Sequence, residues 1–187
     1  MVKIGITGCI GSGKSYICKL LENRGYSIYN CDNEAKRLMN EDMQIRKSLI
    51  NVVGKNVYKD GCLNKSVLAD FILSDQENAM IINNLVHPVV ANDFVLSNKS
   101  WMECALLFSS GFNKLVDKVI CVSAPLPLRI NRIMLRDSVS DERAKEWINC
   151  QMSQEEIISL SDFIIENDEN ADLDNQIDSI LASISSL

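Results

Sequence analysis

The feature that most constrains this chain is a glycine-rich segment near its N-terminus. Residues 8–15 read GCIGSGKS, which fits the phosphate-binding pattern of Gly, any four residues, Gly, Lys and Ser or Thr. The apolar run VKIGIT before it predicts a buried strand, and the apolar spacing over residues 14–23 predicts a helix after it. This order of strand, loop and helix is the context in which the motif binds phosphate, although a purely structural glycine turn fits the pattern too.

The rest of the chain alternates between short β-type runs and longer helical runs, which predicts an α/β protein. With the first strand, the candidates make a five-stranded parallel sheet flanked by helices, as in the P-loop NTPase fold; the further candidates are residues 26–30, 100–108, 118–124 and 162–167. The stretch between the second and third strands is mostly helical and too long for a simple crossover. We therefore expect a helical insert that serves a substrate, and a final helix packed on the sheet.

Composition indicates a soluble protein of one domain. The chain has 187 residues, 47% of them hydrophobic and 24% charged, and no apolar run approaches the roughly 20 residues needed to cross a bilayer. No secretion signal is evident at its N-terminus. The seven cysteines form no Cys-x-x-Cys pair, so we expect unbridged thiols and a cytoplasmic location rather than a zinc site.

Charge is distributed unevenly along the chain. The net charge is −6, yet residues 1–145 contain all 19 Lys and Arg together with only 15 of the 25 Asp and Glu. A mildly basic body suits small anionic substrates and lacks the basic stripe expected for nucleic acid. The acidic C-terminal part is explained equally well as a solvated segment that keeps the protein soluble.

The loop itself predicts nucleotide chemistry. Glycines let backbone N–H groups close on phosphate oxygens, Lys14 is expected to reach the outer phosphates, and Ser15 to ligate Mg²⁺. Such loops occur in nucleotide switches and in kinases. The nearest match to a guanine-reading Asn-Lys-x-Asp motif, residues 113–117, is one residue too long and precedes a strand, and no Asp-x-x-Gly follows an apolar strand. These observations favour a kinase.

A kinase also needs a carboxylate to orient the acceptor hydroxyl and take its proton. Asp32 follows the second predicted strand, and the carboxyl ends of neighbouring parallel strands open onto one crevice. An N-cap of the following helix is an equally good interpretation of the residue from its position alone.

Three arginines at helical spacing suggest a lid. A helix that begins near Pro127 places Arg129, Arg132 and Arg136 on one face, with Arg143 seven residues beyond. A solvated face is the usual explanation of such a run. Like charges at this spacing repel unless an anion lies between them, however, so the pattern also indicates a segment that closes over phosphates.

Several segments in this order resemble the dephospho-CoA kinase family over nearly the whole chain. They are ITGCIGSGKS, CDNEAKRL, LNKSVLADFILSD, LVHPVV, ECALLFSSGF, PLPLRINRIMLRD and CQMSQEEIISLSDFIIEND. The resemblance implies transfer of the γ-phosphoryl of ATP to the ribose 3′-hydroxyl of dephospho-coenzyme A, the last step of coenzyme A synthesis, with Mg²⁺. It also implies a nucleotide-kinase-like core (residues 1–32, 99–128 and 152–187), a helical acceptor region (33–98) and a lid (129–151), within one domain over residues 1–187.

The resemblance further implies roles for individual residues. The catalytic residues are Asp32, Lys14 and Arg136. The ATP-binding residues are Gly8, Cys9, Ile10, Gly11, Ser12, Gly13, Lys14, Ser15, Tyr16, Arg132, Arg136 and Asn167. The acceptor-binding residues are Asp32, Lys36, His87 and Arg143, and Gln151 matches a polar family position near the lid. Ser15 is the Mg²⁺ ligand, with Glu103 as an additional candidate.

Some positions depart from the family pattern or admit a second interpretation. Asn30 stands where the family commonly has Asp, which leaves Asp32 as the single carboxylate of that pair. Ala105 and Ser109 replace a usual Pro and Glu, so a role carried by that Glu has no support here. Glu103 is equally well a solvated carboxylate at a strand end. His87, the single histidine of the chain, is either a packed or capping residue at the start of a helix over 88–97 or a contact to the acceptor.

Other functions remain open at this point. The same fold could belong to a nucleotide-gated binding protein, or to a kinase for another nucleotide or nucleoside. Acceptor-dependent formation of ADP distinguishes the kinase from the gated protein. The expected partners are the small molecules ATP and dephospho-coenzyme A, without nucleic acid or membrane. The sequence does not indicate an oligomeric state, and a monomer is plausible.

Overall fold

The computed structural model describes residues 2–186, so the two ends of the predicted domain range, Met1 and Leu187, lie outside the described residues. Two compact units divide the chain: one runs to Tyr29 and resumes at Lys99, and the other is Asn30–Asn98. The assignment of residues 33–98 to an acceptor and of residues 129–151 to a lid stays a prediction.

A five-stranded parallel sheet forms the centre of the first unit, as the sequence predicts. Its strands are β1 (Ile4–Thr7), β2 (Ile28–Asn30), β5 (Trp101–Glu103), β6 (Lys118–Ser123) and β7 (Phe163–Glu166), in the order β2-β5-β1-β6-β7. Strand β1 lies in the middle, with Ile4 in register with Trp101 on one side and Lys118 on the other. Every residue of β1 is buried, because neighbouring strands and helices cover it.

Helices of the first unit pack on this sheet or continue from its carboxyl edge. They are α1 (Lys14–Asn23), α6 (Leu126–Asp137), α7 (Asp141–Asn149), α8 (Gln154–Ser159) and α9 (Leu173–Ser185). The predicted helix over residues 14–23 is confirmed at both ends. Apolar side chains of α1 and α9, among them Ile17, Leu21 and Ile177, join those of the strands in the main core.

The second unit is mostly helical. It contains α2 (Cys31–Glu41), α3 (Met43–Val53), α4 (Lys65–Ser74), α5 (Gln76–Leu96) and a short antiparallel pair, β3 (Tyr58–Lys59) and β4 (Cys62–Leu63). Arg37 on α2 ties this unit together, since its guanidinium donates to both carboxylate oxygens of Asp93 on α5 and also pairs with Glu34 and Glu41.

Two predicted elements have the wrong bounds. The strand expected over 100–108 ends at Glu103, because the chain turns after Cys104 N–H has made the last bond to Ile6 O. The helix expected over 88–97 is the second half of α5, and Pro88 lies inside that helix rather than at its start. Proline is favoured in a first helical turn and tolerated at a kink, so the residue alone does not distinguish the two.

Helix α5 also bears on the expectation that no segment could cross a membrane. It has 21 residues, and an 18-residue window within it has a mean hydropathy of 1.3, so it is long and apolar enough for a span by length and composition alone. The core helix of a soluble protein meets the same criterion. Its buried residues, Ile82, Val86, Val90 and Phe94, repeat every four positions and form one packed face. The remaining faces carry Asn83, Asn84, His87 and Asn92.

The seven cysteines are unbridged. Burial raises the pKa of Cys18 and Cys121 to about 12, and it also raises the pKa of Cys9. These buried thiols therefore stay protonated at neutral pH and act as small apolar groups. Cys62 and Cys150 are exposed.

Candidate active site

The phosphate loop (residues 8–15) joins β1 to α1, and its backbone follows a path that only glycine allows. Gly11 and Gly13 have φ of 80° and 92°, in the left-handed region that side chains rarely adopt. Space is equally restrictive. A Cβ at Gly11 would lie 2.6 Å from the carbonyl oxygen of Arg129, and one at Gly13 would lie 2.1 Å from Nδ2 of Asn167. The glycines of the motif therefore permit both the turn and its close packing.

This turn directs backbone donors outward. Ser12 N–H bonds to Cys9 O inside the loop, whereas the N–H groups of Gly11 and Gly13 have no acceptor among residues 2–186. Gly13 is the N-cap of α1, whose first turn adds N–H groups without an intrahelical acceptor and the positive end of the helix dipole. Donors so arranged bind an anion such as phosphate.

Lys14 and Ser15 occupy the first turn of α1. Lys14 Nζ donates to Gly8 O at 2.8 Å, so its ammonium group lies back along the loop. Ser15 is exposed, while the Ser12 hydroxyl is buried and has no partner among the described residues. The predicted Mg²⁺ would fit this arrangement, because the exposed hydroxyl of Ser15 could hold it, and Mg²⁺ is usually bound by few protein groups together with substrate phosphates. Within residues 2–186, no group of three or more His, Cys, Asp or Glu side chains could hold a metal alone.

Two predicted ATP-binding residues donate hydrogen bonds to carbonyl oxygens of the loop. Asn167 follows β7, and its Nδ2 donates to Ser12 O at 2.7 Å in a buried contact. Arg132 donates from Nη1 to Gly11 O and Ser12 O, and from Nη2 to Asn167 O at 3.2 Å. Both side chains thus bind carbonyl oxygens of the loop.

The arginines of α6 do not share one environment, and for Arg129 the interpretation of a solvated face is wrong. Its side chain is 4% exposed and donates from Nε to Ile10 O at 3.2 Å and from Nη1 to Gln154 Oε1 at 3.3 Å. Arg136 is exposed, and its Nε and Nη2 bind the carboxylate of the adjacent Asp137. This guanidinium lowers the pKa of Asp137.

Two glutamines complete the support of the loop. Gln151 Oε1 accepts from Ile10 N–H at 2.9 Å, and Gln154 Oε1 accepts from Ala124 N–H as well as from Arg129. Gln151 was noted from its family position, but sequence reasoning missed Gln154. The polar run CQMSQEE before an apolar helix is the one signal that could have indicated it.

Asp32 belongs to the second unit, where it lies exposed in the first turn of α2. The alternative interpretation of Asp32 as an N-cap is wrong, because Asn30 is the cap and its Oδ1 accepts from Asn33 N–H at 2.9 Å. The replacement of the usual Asp by Asn30 therefore preserves a capping acceptor. Lys36, one turn later on the same helix, is exposed.

His87 lies in the middle of α5 and is half-buried. Burial lowers its pKa, so the imidazole is neutral at pH 7. Because His87 lies in the middle of α5, its interpretation as a residue at a helix start is wrong. A packed position or a contact to the acceptor remains.

Glu103 and Arg143 have contrasting surroundings. Glu103 ends β5 in register with Ile6 and is 5% exposed, so the interpretation of a solvated carboxylate is wrong. Arg143 is exposed on α7, where it pairs with Glu146 at 2.7 Å and lies over the ring of Trp147.

A cleft opens at the carboxyl ends of β6 and β7, beside Asn167. Its volume is about 310 Å³, and its lining residues are Ser123, Ala124, Pro125, Gln154, Ile158, Glu166, Asn167 and Asp168. A second hollow of about 420 Å³ continues along Pro125, Pro127, Leu128, Asn131, Asp168, Glu169 and Asn170. These volumes are of the size that accommodates small organic ligands.

Comparison with known proteins agrees with this geometry. The chain is 39% identical to a dephospho-CoA kinase of Bacteroides fragilis over 192 residues, which cover 97% of this chain and 92% of that protein. The crystal structure of TT1252 from Thermus thermophilus superposes with a TM-score of 0.80 at 30% identity, covering 100% of this chain and 97% of the other. A dephospho-CoA kinase structure from Campylobacter jejuni gives a TM-score of 0.71 at 26% identity, covering 98% and 97%.

These similarities confirm the predicted P-loop kinase fold, and they set aside the nucleotide-gated binding protein. The family profile for dephospho-CoA kinase (CoaE) matches residues 2–172, which is most of the chain. With the loop, the parallel sheet and the length of the match in agreement, the chain belongs to the dephospho-CoA kinase family.

Proposed function

We propose that this protein transfers the γ-phosphoryl group of ATP to the ribose 3′-hydroxyl of dephospho-coenzyme A, giving coenzyme A and ADP. Family membership supports the kinase class, and one observation of this chain carries the proposal: beside Lys14, the loop presents the N–H groups of Gly11 and Gly13, which have no acceptor in the described part of the chain. Such a cradle fits the β-phosphate of a nucleotide. The clefts at the ends of β6 and β7 offer room for its adenosine part.

The chemistry forms one bond and breaks one. The 3′-oxygen bonds to the γ-phosphorus, the bond from that phosphorus to the bridging oxygen breaks, and ADP leaves with the electron pair. Asp32 accepts the proton of the hydroxyl; its exposed carboxylate, which does not cap α2, is available for this role. When bound, Mg²⁺ neutralises charge on the phosphates, and Ser15 would ligate it.

Cationic side chains stabilise the transferring group. Lys14 exchanges its carbonyl partners Gly8 and Cys9 for phosphate oxygens when nucleotide binds, because an ammonium prefers an anion to a neutral carbonyl. Arg136 leaves Asp137 and closes over the phosphates with the part of the lid that follows Arg132, because Arg129 and Arg132 stay bonded to the loop. On the acceptor side, Lys36, His87 and Arg143 bind dephospho-coenzyme A. The small-molecule substrates and unbridged thiols fit a cytoplasmic location.

Product identification tests the proposal. The protein is incubated with Mg·ATP and, separately, dephospho-coenzyme A, AMP, adenosine and no acceptor, and each product is identified by mass spectrometry. We expect efficient phosphorylation of dephospho-coenzyme A alone, at the ribose 3′ position, with ADP formed in equal amount. A better yield with AMP or adenosine would replace this substrate with another nucleotide or nucleoside.

A variant of Asp32 tests the base. Asp32→Asn keeps the size of the side chain but cannot accept the proton, so turnover should fall roughly a hundredfold or more while ATP still binds. Asp70→Asn, at an exposed position of α4 in the same unit, is the control for the loss of one negative charge. Near-normal turnover of a folded Asp32→Asn protein would remove Asp32 from the mechanism.

A further inference from the structure

The donors of the phosphate loop belong to peptide planes whose other ends are held. The Gly11 N–H shares a plane with Ile10 C=O, and the Gly13 N–H shares one with Ser12 C=O. Because a trans peptide is planar, its C=O and N–H point in opposite directions, and fixing one aims the other. The chain contains no cis peptide bond among residues 2–186. A side chain that binds one of these carbonyl oxygens therefore orients a phosphate donor without touching the phosphate.

The Ser12–Gly13 plane is held by residues already assigned to ATP binding, Asn167 and Arg132. The Ile10–Gly11 plane is held by a residue that has no assigned role: Arg129 Nε donates to Ile10 O at 3.2 Å. On the other side of Ile10, Gln151 accepts its N–H at 2.9 Å and keeps that donor away from the site. The backbone around Ile10 is thus fixed on both sides.

Arg129 is itself held in place. Its Nη1 donates to Gln154 Oε1, which also accepts from Ala124 N–H at the end of β6. Arg129 is 4% exposed, and no Asp or Glu of residues 2–186 forms an ion pair with it. A buried cation without a counter-charge is costly, and an anion bound nearby lowers that cost.

We propose that Arg129 is a positioning residue for ATP, which aims the Gly11 N–H at the phosphate through the Ile10–Gly11 peptide and supplies positive charge behind the loop. Gln154 sets the orientation of Arg129. This inference rests on the proposed function insofar as the loop binds the phosphates of ATP. It assigns Arg129 a different task from Arg136, although both lie on α6.

The side-chain chemistry gives an order of effects. Arg129→Met fills the space but removes the donor and the charge. Arg129→Lys keeps the charge, but its single nitrogen cannot reproduce the fork that binds Ile10 O and Gln154 together. Gln154→Met leaves Arg129 in place without its anchor. We expect the dissociation constant of Mg·ATP to rise roughly tenfold in Arg129→Met, less in Arg129→Lys and about threefold in Gln154→Met.

The test is calorimetric titration of the whole protein with Mg·ATP and, separately, with tripolyphosphate, both without acceptor. Arg24→Met is the matched control, because Arg24 is a partly buried arginine that pairs with Asp174 and Asp178 at the far end of α1. It should lower thermal stability without changing either affinity. Steady-state kinetics should show a raised KM for ATP, an unchanged KM for the acceptor and a kcat within a few-fold of the wild-type value.

Weaker binding of both ligands in the Arg129 variants, with partial recovery by Lys, supports the proposal. Unchanged affinities in folded Arg129→Met and Gln154→Met proteins would make Arg129 a structural residue only. Should Arg129→Met not fold, Arg129→Lys and Gln154→Met decide the question in the same titration. The titrations contain no acceptor, so they do not depend on the identity of the acceptor. If the wild type failed to phosphorylate dephospho-coenzyme A, the proposed function would be refuted, but the affinities of the variants could still be compared.

Discussion

The two ends of α6 carry the same residue type in opposite surroundings. At its start, Arg129 is buried and bonded to the phosphate loop and to Gln154. At its end, Arg136 is exposed and paired with Asp137, its neighbour in sequence. An arginine held by a loop carbonyl and a glutamine cannot leave its place without leaving Ile10 O unpaired, whereas a surface ion pair contributes little and exchanges readily. Helical spacing thus groups residues on a face, but burial decides which of them can move onto a ligand.

The largest expected effect concerns the exposed end. Arg136→Ala should reduce kcat/KM by a factor that corresponds to about 2–4 kcal/mol of transition-state stabilisation. Arg136→Lys should lose much of the activity too, because an ammonium lacks the planar fork for phosphate oxygens. Kinetics and melting temperature are measured together, and the melting temperature should change little. Full activity of the Lys variant would mean that charge alone matters at this position.

A smaller effect, on stability, is expected at the buried end. Arg129→Met leaves Ile10 O without its donor, so the free energy of unfolding should fall by about 1–3 kcal/mol. The melting temperature would drop by about 2–4 °C for each kcal/mol in a protein of this size. Denaturant unfolding of the two Met variants, Arg129→Met and Arg136→Met, makes the comparison direct. If Arg136→Met were the less stable of the two, the contrast between the ends of α6 would not hold.

The smallest effect concerns the ion pair at the exposed end. Arg136 lowers the pKa of Asp137 below its ordinary value of 3.8 in the folded state. A lowered folded-state pKa means that the charged carboxylate stabilises the protein above the unfolded-state pKa, and that this contribution is lost as pH falls through the folded-state value. Asp137→Asn should therefore melt slightly below the wild type at pH 7, and the difference between the two melting temperatures should shrink as pH falls below 3.8. A difference that persists at low pH would indicate a role other than the charge.

Much of the fold follows from local sequence pattern. The loop motif, the helix over residues 14–23 and the parallel strands are recognisable because each depends on nearby residues. The strand expected over 100–108 was too long because it counted Leu107 as a strand residue. Leu107 instead packs its apolar side chain against Gly5. Pro88 suggested a helix start because proline is favoured in a first helical turn, but proline is also found inside a longer helix such as α5.

The site was predictable in its residues more than in their contacts. Helical spacing placed Arg129 on one face with Arg132 and Arg136, but it could not show that Arg129 is buried, because its partners Ile10 and Gln154 come from distant parts of the chain. From the sequence, Asp32 could be either a catalytic base or the N-cap of α2, and the structure shows that Asn30, two residues earlier, is the cap. Local sequence pattern could predict neither the partners of Arg129 nor the N-cap of α2, because each depends on which side chain bonds to a given backbone group.

The central position of β1 has a consequence for synthesis of the protein. Ile4 emerges early from the ribosome, yet its partners Trp101 and Lys118 emerge much later. The contacts that order the phosphate loop are of long range, whereas residues 30–98 form many of theirs within one continuous segment. Nascent chains that end before β6 therefore cannot build the nucleotide site. For the proposed function, this means that ATP stabilises only those chains in which β6 has joined the sheet, so nucleotide binding comes late in folding.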